Sequence, residues 1–122
     1  VNTTLHVELT ESHDRTAVIT VAGDLDLGTA PDFYQQTTAA LERHPVLVLD
    51  LARLAFCDSS GFNALLRLRR RTQEAGGEVV LAAPPGHLLR LLALTGAEAV
   101  LPVHGSLSEA LASAGGGAFD GG

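Results

Sequence analysis

Near its start the chain alternates Leu5, Val7 and Leu9 with His6 and Glu8, the period-two pattern of a strand with one face buried. Ser12-His13-Asp14 reads as a turn. Ala17 to Ala22, rich in Val, Ile and Thr, reads as a second strand, antiparallel to the first because the connection is short, and Gly23 ends it. Thr29 stands where it can cap a helix. Its first turn holds Pro31, whose missing N–H costs nothing there, and Asp32, whose carboxylate suits the helix dipole. Phe33, Thr37, Ala40 and Leu41 give that helix one buried stripe, and Pro45 stops the chain from continuing it.

Val46-Leu47-Val48-Leu49 is a continuous apolar run, which predicts a central strand covered by helices on both faces. A second helix is expected from about Ser60 to Ala75, closed by Gly76-Gly77. Glu78 to Ala82 forms the next strand, and Pro84-Pro85-Gly86 leads into a third helix reaching Leu94, with Gly96 as its C-terminal cap. A short strand is expected near Ala99 to Leu101. Ser106 and Glu109 then have the S-x-x-E spacing of a capping box and start a last helix. The order β-β-α-β-α-β-α-β-α predicts an α/β fold with a mixed, mostly parallel sheet and about four helices. Residues 1–114 are expected to form one domain, and the glycine-rich residues 115–122 a disordered tail.

Charge narrows the partners. A formal net charge of −6 disfavours sequence-independent binding to nucleic acid or anionic lipid, so the expectation is no nucleic acid and no membrane. No apolar run approaches the roughly 20 residues of a membrane span. The polar opening Val1-Asn2-Thr3-Thr4 lacks the pattern of a secretory signal. With the lone cysteine, Cys57, these features predict a cytoplasmic location. All eight basic residues are arginine, which removes the lysine that a P-loop and a Schiff-base enzyme each require.

In a sheet of this kind partners gather at the carboxyl ends of the parallel strands. Two loops stand out there: Gly23-Asp24-Leu25-Asp26 after the second strand, and the segment after the third that runs into Asp58-Ser59-Ser60-Gly61. If those strands are parallel neighbours, the loops meet at one edge. Helix capping by itself explains Asp and Ser at such positions. If Ser60 is the N-cap its hydroxyl is occupied, leaving Ser59 outside the helix and free.

Other chemistries find less support. Asp24, Asp26 and Asp58 are better explained by turn and cap hydrogen bonds than by a metal, so no metal site is expected. Asp50 at a strand end has no lysine to complete a receiver-type site. His6, His13, His44, His87 and His104 lack metal-ligand spacing and read as surface groups. Cys57 reads as a small buried hydrophobe. Neither serine lies in a G-x-S-x-G elbow.

The arginines at 67, 69, 70 and 71 spread around a helix and read as a solvated face. Placing Gly61, Leu65, Leu68, Thr72 and Ala75 toward the core puts Phe62 to one side and Leu66 largely outward. Phe62, Asn63, Leu66 and Arg69 are therefore candidate partner contacts.

Several ordered motifs together resemble the STAS domain family, named for sulfate transporters and anti-sigma factor antagonists. They are Gly23-Asp24-Leu25-Asp26 with Thr29-Ala30, the Asp50-Leu51 strand end, Phe56 ahead of Asp58-Ser59-Ser60-Gly61, Gly76-Gly77, and Leu91 through Thr95-Gly96. The chain looks most like the bacterial single-domain antagonists. It departs from the common pattern at Cys57 and at Phe62-Asn63. The resemblance implies a binding protein, not an enzyme, with Ser59 as phosphoacceptor and no bound cofactor. It implies two partners, an anti-sigma factor that is itself a serine kinase and a separate serine phosphatase. Asp24, Asp26, Asp58, Ser60 and Gly61 would then border the partner surface. An accessory subunit of a membrane transporter and a nucleotide-binding regulatory module remain open as other readings.

Overall fold

The computed structural model describes residues 5–114; the expected tail at 115–122 and the polar opening at 1–4 lie outside the described residues. Strands β1 (Leu5–His13) and β2 (Thr16–Leu25) form the expected antiparallel pair. Then come α1 (Ala30–Leu41), β3 (Val46–Asp50), β4 (Leu54–Cys57), α2 (Ser59–Glu74), β5 (Glu78–Ala82) and α3 (Gly86–Thr95). A single 3₁₀ turn at Ala97–Ala99 precedes β6 (Val103–His104) and α4 (Leu107–Ser113). The sheet has six strands in the order β1-β2-β3-β5-β6, with β4 paired to β2 off that path. All pairings except β1 with β2 are parallel. The α/β architecture and four helices expected from the sequence are present.

β3 explains why the sheet is covered twice. Leu47 and Leu49 join Ile19, Leu81, Phe33, Leu65, Leu68, Leu88 and Leu92 in one core, beneath α1, α2 and α3. Val46 and Val48 face the other way and pack with Val18, Val80 and Ala82 against Ala110 and Ala114 at α4. A run with no polar residue suits a strand buried on both faces.

Four local expectations are corrected. Gly23 does not end β2: it takes φ +105, which glycine adopts without steric cost, and the pairing register shifts there so that the strand continues to Leu25. β4 was not expected. It occupies the place beside β2 that β3 vacates after Asp50, with Gly23 N–H donating to the Arg53 carbonyl at 3.1 Å. The last strand lies at Val103–His104, because Ala97–Ala99 forms a 3₁₀ turn after the left-handed Gly96 cap. Ser106 does cap α4, accepting from Glu109 N–H at 3.1 Å, but the Glu109 carboxylate reaches back to Gly105 N–H at 3.2 Å, one residue beyond an ordinary capping box. Among the described residues no helix is long and apolar enough to cross a membrane.

Candidate functional site

The end of β2 builds the site. Asp24 and Leu25 lie in parallel register with Phe56 and Cys57 of β4, and Asp58 N–H donates to the Leu25 carbonyl at 3.2 Å. The segments that leave these strands, one into α1 and the other into α2, therefore start side by side. The two loops meet as the sequence predicted, with β4 in place of β3 as the neighbour.

The first loop is tied to itself. Asp26 Oδ1 accepts from Gly28 N–H at 3.0 Å and Thr29 N–H at 3.1 Å. Thr29 occupies the N-cap position of α1 but makes no side-chain cap: its hydroxyl donates to the Asp24 carbonyl at 2.8 Å and accepts from Asp26 N–H at 2.9 Å. These bonds hold the loop backbone and turn Leu27 outward, 74% exposed. The Asp24 carboxylate has no hydrogen-bond partner among the described residues.

The second loop corrects the expected cap. Asp58, not Ser60, is the N-cap of α2: its Oδ1 accepts from Ser60 N–H at 2.9 Å and Gly61 N–H at 3.0 Å. A carboxylate at this position satisfies two orphan amides and suits the dipole better than a neutral hydroxyl. Ser59 is thus the first helical residue. It is exposed while Ser60 is half-buried, and neither hydroxyl makes a hydrogen bond among the described residues. Ser59 is presented by its exposure, and not because Ser60 is engaged.

Gly61 lies against the β2 end. A Cβ there would meet the Leu25 carbonyl oxygen, Leu25 Cγ at 2.7 Å and Cys57 Sγ at 3.0 Å. The expected rotation of α2 is partly wrong. Phe62 is buried, 8% exposed, and Leu66 is half-buried against the core. Ala64 is buried and Ala75 is exposed. The buried arc is wider than one stripe because α2 packs on α1 as well as on the sheet. Asn63 is exposed and Arg69 half-buried.

Several neighbours were not singled out from the sequence. The Arg67 guanidinium lies over the Tyr34 ring, 4.4 Å from its centroid. Phe56, 46% exposed, stacks on His87 with ring centroids 6.2 Å apart and an interplanar angle of 20°. His87 is a surface group, as expected, but its Nε2 also accepts from Cys57 N–H at 3.1 Å. His44 and His104 are half-buried, against expectation. An apolar Leu27 between Asp26 and Gly28 was a visible signal for an exposed contact. The meeting of Cys57 with His87, 30 positions apart, had none.

Cys57 is buried, as the sequence predicted. Burial first, and then the neighbouring Asp58 carboxylate, push its thiol from 9.0 up to about 12. The native thiol is expected to resist iodoacetamide at about pH 8, where the unfolded chain reacts. Between 9.0 and about 12 the unfolded chain releases this proton first, so it binds fewer protons than the native state and stability falls as pH rises. A native thiol alkylated as fast as the unfolded one would contradict this. Among the described residues no three His, Cys, Asp or Glu side chains gather in a group that could hold a metal.

A family model described as "Mlab, STAS domain" matches residues 8–113. The chain belongs to the STAS domain family. An anti-sigma F factor antagonist of Paenibacillus polymyxa is 31% identical to it over 111 residues, covering 88% of this chain and 92% of that protein. The crystal structure of an anti-sigma factor antagonist from Mycobacterium paratuberculosis is 29% identical, with a TM-score of 0.74 over 93% of this STAS chain and 94% of that one. The antagonist SpoIIAA, solved in unphosphorylated form, shares the STAS fold at 21% identity and a TM-score of 0.72, covering 89% of this chain and 94% of that one. Its phosphorylated form, from Bacillus, does so at 21% and 0.69, covering 88% and 96%.

Proposed function

We propose that this STAS domain is an anti-sigma factor antagonist that works by partner switching and performs no catalysis itself. Unmodified, it binds an anti-sigma factor kinase in the cytoplasm and thereby frees a sigma factor. That kinase then transfers the γ-phosphoryl group of ATP to Ser59 Oγ as the hydroxyl proton leaves, and the binding ends. A separate serine phosphatase restores the hydroxyl. The observation that carries this reading is the exposed, unbonded Ser59 hydroxyl on the first residue of α2, held beside the Asp24–Asp26 loop by the Asp58 cap. The names of the Paenibacillus and Mycobacterium relatives support it.

The proposed contact surface comprises Asp24, Asp26, Asp58, Ser60 and Asn63 around Ser59, and Arg69 about 15 Å further along α2. Gly61 and the buried Phe62 support it from beneath, and only the outer part of Leu66 contributes. Incubation with the cognate kinase and ATP is expected to add one phosphate. Ser59→Ala abolishes this and Ser60→Ala does not, read by mass spectrometry of the intact chain and its peptides. A phosphate mapped to Ser60 would reassign the acceptor. Recovery of a membrane transporter instead of a soluble kinase in a pull-down would replace the reading altogether.

A further inference from the structure

Beside Ser59, between the start of α1 and the first turns of α2, runs an open groove of about 390 Å³. Leu27, Pro31, Tyr34, Ser60, Asn63 and Arg67 line it, and Arg67 is the one charged residue among its described lining. We propose that this groove receives a carboxylate side chain, flanked by an apolar one, from the anti-sigma factor. This rests on the partner-switching reading and names the chemistry of the partner at that surface.

Three features carry the inference. First, the exposed Arg67 guanidinium lies over the Tyr34 ring, and no carboxylate of the chain pairs with it among the described residues, although acidic residues outnumber basic ones by 14 to 8. A guanidinium already oriented by stacking loses little freedom when a carboxylate docks bidentately on its remaining N–H groups. Second, the groove's other end is apolar, with Leu27 exposed on a loop that Asp26 and Thr29 fix. Third, Ser60 belongs both to the groove lining and to the Asp58–Gly61 turn, so an occupant there sits one residue along the chain from Ser59. A positive groove on a chain of net charge −6 complements an acidic contact.

The test measures affinity for the cognate anti-sigma factor at low and high salt. Arg67→Glu is expected to weaken binding about ten-fold or more and to flatten the salt dependence. Arg43→Glu makes the same charge change on an exposed residue beyond the far end of α1, and should leave affinity within about two-fold. Leu27→Ser should weaken binding without altering the salt dependence. Melting curves establish that each variant is folded. In phosphorylation assays Arg67→Glu should raise KM and leave kcat unchanged, since Ser59 itself is intact. Equal affinities for the Arg67 and Arg43 variants, or an Arg67→Glu effect on self-association in place of partner affinity, would overturn the inference while leaving Ser59 phosphorylation standing. A wild-type chain that neither binds the kinase nor accepts phosphate would instead remove the partner-switching reading, and this inference with it.

Discussion

Gly61→Ala is expected to destabilise the fold by about 1–3 kcal/mol, the usual cost of overpacking a filled site, which lowers the melting temperature by roughly 3–6 °C per kcal/mol for a chain of this size. Two effects oppose each other. Alanine favours a helix over glycine by about 1 kcal/mol at an interior position. Against that, the new Cβ would press on the Leu25 carbonyl oxygen, with Leu25 Cγ at 2.7 Å and Cys57 Sγ at 3.0 Å behind it. The carbonyl cannot yield, because it accepts the Asp58 amide that joins β4 to α2. The start of α2 must therefore move away from β2, straining the Asp58 cap as it goes, and packing outweighs propensity. Because the same movement displaces Ser59, the phosphorylation proposed there should slow even where the variant is folded. Urea melts paired with initial phosphorylation rates test both halves. A variant as stable as wild type would mean that the β2 end can give way at this point.

The convergence of the two loops was legible because both rest on residues whose chemistry announces itself, Asp and Ser at strand-to-helix turns. The strand that brings them together was not. Leu54-Ala55-Phe56-Cys57 has no β-branched residue and is too short for its alternation to register, so β4 exists through its pairing with the β2 end. Gly23 misled in the same region, since glycine punctuates a chain and also permits a bulge inside a continuing strand. Asp58 and Ser60 are both capping residue types, and their order alone does not choose between them; Asp58 starts the helix two residues earlier, by taking the Ser60 and Gly61 amides. Arg67 and Tyr34 were invisible as a pair because α1 and α2 are neighbours only in the folded chain. The long periodic segments follow their pattern, whereas β4 and the Arg67–Tyr34 pair depend on tertiary contact, and the cap of α2 and the turn after Gly96 on local competition between capping groups.

Under the proposed switch, phosphorylation of Ser59 is expected to weaken anti-sigma factor binding by roughly thirty-fold to several thousand-fold and to leave the fold intact. The added charge of about −1.5 to −2 stands on the first residue of a 16-residue helix, where the dipole favours it by about 0.3–1 kcal/mol. Asp58 limits that gain. Its Oδ1 already takes the Ser60 and Gly61 amides, so a phosphate meets a like charge and two occupied donors. Because Ser59 is exposed, water screens this repulsion and the net change in folding stability is small. In the complex the screening is lost. The phosphate must then be desolvated beside Asp58 and near the Asp24–Asp26 loop, and a misplaced interfacial charge typically costs about 2–5 kcal/mol, which at about 1.4 kcal/mol per decade gives the affinity loss stated. Ser59→Asp, with one charge and a shorter reach, should lose part of the affinity, and Ser59→Ala should bind whether or not ATP is present. Calorimetric titration of each form into the anti-sigma factor, beside its melting curve, separates interface from fold. Equal affinities for the phosphorylated and unmodified chains would refute the switch, and a phosphorylated chain that melts far below the unmodified one would mean that the charge acts on α2 itself.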